Sequence, residues 1–158
     1  MPRQARIVVP GLAHHVTQRG NYRQEVFSHS GNYKQYCEWI NEYARKNDVD
    51  ILAYCLMSNH VHFIAIPKKE DDLAALFKTA HMRYSCYLNR QRRAKGHLWQ
   101  GRFYSCILDD AHLYRAIRYV ENNPVRAKIV KKAWEYEYSS AKDHIGDVGN
   151  PLIELNKH

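Results

Sequence analysis

From Ile51 to Pro67 the chain reads "ILAYCLMSNHVHFIAIP". Two apolar runs of strand length, parted by a short polar turn, pair most simply as an antiparallel hairpin. Helical patterns flank this hairpin. Upstream, Asn32 to Lys46 places Tyr33, Tyr36, Cys37, Ile40, Tyr43 and Ala44 at a 3.6-residue period, which predicts an amphipathic helix. Downstream, residues 71–93 open with acidic side chains and close with arginines, matching the polarity of a long helix. "LAHHVTQR" at 12–19 predicts a first strand, followed by the turn-like "GNYR". Strand character returns in "GHLWQGRFYSCIL" around an aromatic and basic loop. Asp109 or Asp110 then caps a last helix, "AHLYRAIRYVENN", which Pro124 stops. The order β-α-β-β-α-β plus one helix predicts an α+β domain, a four-stranded antiparallel sheet with helices on one face.

At 158 residues this is one domain, with a core over about 5–130 and a tail after 131 that packs back on it. No apolar run approaches the roughly 20 residues a membrane-spanning helix needs, and the N-terminus lacks a signal-peptide core, so a cytoplasmic, membrane-free protein is expected. The cysteines at 37, 55, 86 and 106 form no CxxC pair. They are read as buried structural thiols rather than a disulfide framework or zinc site. Lysine and arginine total 24 against 16 acidic residues, a net charge of +8, which favours a polyanionic partner. Twelve tyrosines, three tryptophans and four phenylalanines add rings that serve equally as core or as stacking surface for bases.

The hairpin carries one chemical oddity, the pair His60 and His62. Residues two apart on a strand share a face, so two imidazoles stand side by side in apolar surroundings. Burying both without partners costs on the order of a kcal/mol or more each. A divalent metal or a phosphate is a natural shared partner. An HxH pair alone does not identify an enzyme. A histidine-triad hydrolase needs a third alternating histidine where Ile64 stands, a metallo-β-lactamase-type site needs Asp-His where Ala65 and Ile66 stand, and an amidohydrolase barrel needs a far longer chain. The last helix offers further candidates, since Tyr119 and Asn123 lie four apart on one helical face.

Four segments in order, "PGLAHHVTQRGN", "CLMSNHVHFI", "GHLWQGRF" and "YVENNPVRA", carry a likeness that covers nearly the whole chain. The sequence resembles the single-tyrosine HUH transposases of the IS200 type, and within them those associated with repetitive extragenic palindromes (REPs). The resemblance implies a ferredoxin-like fold with the histidines on a central strand. It implies Mg²⁺ or Mn²⁺ on His60 and His62, Tyr119 as nucleophile and Asn123 as third ligand. Insertion-sequence relatives often carry glutamine at the position of Asn123, and Asn122 is the neighbouring alternative. It also implies cleavage of single-stranded DNA through a 5′-phosphotyrosine, with no nucleotide cofactor.

Candidate DNA contacts, as phosphate contacts or stacking platforms, are Arg19 and Arg23 around the first turn, Arg83, Arg90, Arg92, Arg93 and Lys95 along the end of the long helix, and Trp99 and Arg102. Three functions stay open on the sequence: a metal-dependent strand transferase at hairpin-associated sites, acting as monomer or homodimer; a non-cleaving binder of hairpin nucleic acid derived from one; and a relaxase or replication initiator using the same chemistry.

Overall fold

A computed structural model describes residues 5–146 and 151–156. Strand β1 (Ala13–Arg19) is followed by helix α1 (Ser30–Lys46), the hairpin of β2 (Asp50–Leu56) and β3 (His60–Ile66), helix α2 (Asp72–Arg92), strand β4 (Tyr104–Leu108) and helix α3 (Asp110–Glu121). The four strands form one antiparallel sheet in the order β2-β3-β1-β4. This is the anticipated α+β, ferredoxin-like arrangement. β3 and β1 occupy its centre.

Alternation along the strands gives the sheet two unlike faces. Helices α1 and α2 cover the first. Their buried residues recur at helical spacing, from Tyr33 to Ala44 in α1 and from Leu73 to Leu88 in α2. With Val16, Val61, Phe63 and Ala65 of the sheet they form a core rich in rings, including Phe27, Tyr36, Phe77, Tyr84, Trp99 and Phe103. Much of the aromatic enrichment is therefore core. His81 is sealed among these rings at 4% exposure, its Nε2 2.8 Å from the Tyr36 hydroxyl.

Helix α3 packs on the opposite face. Leu113 and Val120 meet Ala13, Leu52, Ala53, Cys55, Ile64 and Ile66 in a second, smaller cluster. A register shift between Ile51 and Ala53 lets Leu52 and Ala53 both join it. Asp109 is the cap of α3, its side chain accepting from the His112 amide at 2.9 Å. The tail folds back as expected. Backbone bonds from Leu56 to Tyr138 (2.8 Å), from Ser140 to Tyr54 (3.0 Å) and from Asn156 to Ile51 (2.9 Å) cover the outer edge of β2. Glu121, at the end of α3, accepts from Ser140 Oγ at 3.2 Å and lies 2.7 Å from His144 Nδ1.

His60 and His62 both lie on β3, as period two requires. Three expectations are corrected. Strand structure in the fourth segment begins only at Tyr104, because Gly96 and Gly101, both at positive φ, shape a loop ahead of it. Pro124 does not end α3, which stops at Glu121; it opens a separate single turn, α4 (Asn123–Arg126). Only Cys37 and Cys55 are buried, whereas Cys86 and Cys106 are exposed, each on an outward position of its element. No described helix is long and apolar enough to cross a membrane.

Candidate active site

The polar part of the α3 face is built by three strands. Register sets His60 opposite Arg19 and His62 opposite Thr17, and Thr17 pairs on its other side with Tyr104. These side chains share one face, with His15 two residues back along β1. The turn after β1 helps to place them. Gly20 sits so close to the Gln24 carbonyl that a Cβ there would lie 2.3 Å from it. Tyr22 and Arg23 then take left-handed conformations (φ 53 and 57). The Arg23 carbonyl accepts from Asn59 Nδ2 at 3.3 Å, which turns the Asn59 oxygen toward His60 Nδ1, 2.7 Å away. A carboxamide oxygen only accepts, so the neutral His60 carries its proton on Nδ1 and leaves the lone pair on Nε2.

His62 Nδ1 lies 3.0 Å from His15 Nε2, the two rings meeting edge to edge and 25° from parallel. The His60 and His62 rings stand 5.1 Å apart, nearly perpendicular. All three imidazoles are held neutral. Burial lowers His15; burial and the charge of Arg19 lower His60, offset in part by a hydrogen bond with Asn123. Burial, then His60, His15, Arg126 and Arg19, push His62 down to about 3. His60 and His62 open onto a cleft of about 250 Å³ lined also by Thr17, Arg19, Gln100, Arg102 and Tyr104.

Helix α3 brings Tyr119 to this place. Its ring lies 6.3 Å from that of His62 and 6.1 Å from that of His15, edge-on to both, and the side chain is half exposed. The juxtaposition forms within one chain. The Arg126 guanidinium stacks 3.9 Å over the Tyr119 ring and donates to Asn123 Oδ1 at 3.1 Å. Asn123 donates to the Val120 carbonyl at 3.0 Å, so the break before Pro124 is closed by the side chain that reaches His60. Asn122 instead shares an open surface hollow with Tyr119.

Among the described residues no three His, Cys, Asp or Glu side chains are grouped to hold a metal. The donor set that exists is two neutral imidazoles and one amide oxygen with a second lone pair. Such a set fits a divalent cation that draws its remaining ligands from phosphate and water oxygens, the habit of Mg²⁺ and Mn²⁺.

The sequence-predicted basic residues divide. Arg19 and Arg102 line the cleft. Arg23 contributes its carbonyl to Asn59. Arg90, Arg93 and Lys95 are exposed at the end of α2, and Arg92 donates to Ser28 Oγ at 2.9 Å. Arg83 is held by α1, donating to the Tyr43 hydroxyl at 2.8 Å and stacking on Trp39. Trp99 is buried and donates its indole N–H to the His81 carbonyl at 3.1 Å, so it braces the loop and offers no open stacking face. Sequence reasoning assigned no role to His15, Asn59, Tyr104 or Arg126. Period two along β1, linking His15, Thr17 and Arg19, was the signal for the first. Spacing of three and seven from Asn123 and Tyr119 was the signal for Arg126.

Residues 8–123 match the family model described as transposase IS200 like, well over half of the chain. The chain belongs to the IS200-like transposases. Among solved structures, it is similar to a REP-associated tyrosine transposase bound to a REP hairpin, with a TM-score of 0.77 and 19% identity over 99% of this chain and 93% of that one. It is also similar to a candidate transposase from Deinococcus radiodurans R1, with a TM-score of 0.51 and 20% identity over 77% of this chain and 97% of that one. At these identities the likeness speaks for the fold. No curated protein matches the sequence. Membership in the IS200-like transposases makes DNA the polymer on which this fold acts.

Proposed function

We propose that this IS200-like transposase cleaves single-stranded DNA near hairpins and transfers the strand through a covalent 5′-phosphotyrosine on Tyr119. The observation that carries the reading is the half-exposed Tyr119 ring lying edge-on 6.3 Å from that of His62, which with His60 lines a cleft holding Arg19 and Arg102. Mg²⁺ or Mn²⁺ would be held by His60, His62 and Asn123, and when bound it would offset the negative charge of the scissile phosphate.

The chain's own residues account for the rest. Arg19 and Arg102 lie where a phosphate entering the cleft would meet positive charge. Arg126 packs on the Tyr119 ring and restricts where its hydroxyl can point. The Tyr119 oxygen attacks phosphorus and gives up its proton. The phosphorus–O3′ bond breaks and the O3′ takes up a proton, leaving a free 3′-hydroxyl and a 5′-phosphate ester on Tyr119. Attack of a 3′-hydroxyl on that ester reverses the balance and joins strands. The hairpin substrate draws support from the REP hairpin bound by the structurally similar transposase.

The test is incubation with labelled single strands carrying a hairpin between randomised flanks, with Mn²⁺, followed by denaturing electrophoresis. A covalent adduct is expected from the wild type and none from Tyr119→Phe. An adduct that persists in Tyr119→Phe moves the nucleophile elsewhere, with exposed Tyr114 the next candidate. Tight binding without any adduct from the wild type would favour the non-cleaving binder.

A further inference from the structure

We infer that His15 is a positioning residue that accepts the Nδ1 proton of His62, fixing the tautomer in which His62 Nε2 is a free metal ligand. This rests on the reading that His60 and His62 hold a divalent cation. Two neutral imidazoles meet nitrogen to nitrogen at 3.0 Å, a hydrogen-bond distance that holds one proton. Placed on His15 Nε2, that proton leaves His62 carrying its own hydrogen on Nε2, which then cannot ligate. Placed on His62 Nδ1, it leaves Nε2 bare. Only the second arrangement gives the site two lone pairs.

The neighbouring ligand shows the same device already fixed. The Arg23 carbonyl orients the Asn59 amide, and Asn59 Oδ1 holds the proton on His60 Nδ1. His15 does for His62, from β1, what Asn59 does for His60 from the turn before β3. The two supports are unlike in chemistry and alike in position, each facing the nitrogen remote from the proposed cation. Metal-ligating histidines commonly depend on such a partner for orientation, and its loss costs about 10–100-fold in metal affinity. The His15 and His62 rings, 25° from parallel, and the Tyr119 ring edge-on to both fix the ring plane as well as the proton.

The experiment uses the full-length protein in two measurements. Long-range ¹H–¹⁵N correlation spectra without metal read the tautomers directly: His60 and His62 are expected protonated on Nδ1, and His15 bare on Nε2. A proton on His62 Nε2 in the wild type overturns the inference. Titration with Mn²⁺ alone then compares variants of equal thermal stability. His15→Leu, which cannot accept, should bind about 10–100-fold more weakly. His15→Gln, whose side-chain oxygen reaches the place of Nε2, should recover most of that loss. Equal affinity of His15→Leu and wild type, or of His15→Leu and His15→Gln, overturns the role. A wild type that shows the expected tautomers and binds no Mn²⁺ would instead sink the metal reading on which the role depends.

Discussion

His62 and His81 are both pushed down to about 3, chiefly by burial, yet they sit on opposite faces of the four-stranded sheet. His81 lies under α1 and α2, sealed by rings, with a tyrosine hydroxyl as its side-chain partner. His62 lies under α3, beside a second histidine, a half-exposed tyrosine and a cleft with two arginines. A depressed imidazole therefore reports chiefly burial and does not by itself mark a site. Company decides function: what else reaches the ring, and whether solvent or a substrate can follow. The sheet makes the contrast possible, because alternate residues of β1 and β3 serve a close-packed core on one side and a polar site on the other.

The largest effect that would break this comparison is on the site face. His62→Ala should cut adduct formation by several kcal/mol of barrier, about a thousandfold in rate, while leaving the thermal midpoint nearly unchanged. Matched rates with wild type would return His62 to the same category as His81. The next effect belongs to the core face. Phe77→Ala removes a fully buried ring packed 5.1 Å from Phe63 and 5.4 Å from Phe103. It should cost about 3–5 kcal/mol of stability in denaturant melts. A change under about 1 kcal/mol would mean that this face is not a close-packed core.

A smaller effect separates the two histidines by pH. His81 stays neutral in the folded chain down to about 3, whereas in the unfolded chain it takes up a proton below its ordinary value near 6.5. The unfolded state then binds more protons, so stability falls as pH falls through that window. Between pH 6.5 and 5 this group contributes a loss of about 2 kcal/mol, at about 1.4 kcal/mol per unit. His81→Gln should lose that much less over the same interval in paired urea melts. Parallel curves for variant and wild type would show that His81 is not kept neutral by the fold.

Much of the architecture was legible because periodicity carries it. The 3.6-residue pattern of α1 and the apolar runs of β2 and β3 each point to one element, and the order of elements leaves few topologies. The histidine pair was legible for the same reason, as period two puts both imidazoles on one face. Relations between strands were not. His15 acquires its meaning only when β1 lies antiparallel to β3, 47 residues away along the chain, and nothing local announces that register. Trp99 misled for the converse reason. Beside arginines it reads as a stacking platform, but tertiary packing takes it into the core. Proline's rule held only in part, since Pro124 cannot continue α3 yet suits the first turn of α4.

The subtlest effect sharpens the comparison through arginine. Arg19 lies in the cleft on the His62 side, whereas Arg83 is held by Tyr43 and Glu42 of α1. Each loses the same formal charge when truncated, so a purely global charge effect would weaken DNA binding equally. A local phosphate contact would not. Arg19→Ala should weaken binding to hairpin single strands and reduce the slope of log affinity against log salt by about 1. Arg83→Ala should leave the slope where it is. Equal changes in both would mean that the basic excess acts as a diffuse field and that the cleft does not grip the strand. A reduced slope for Arg19→Ala alone would assign phosphate contact to the face that holds His62 and Tyr119.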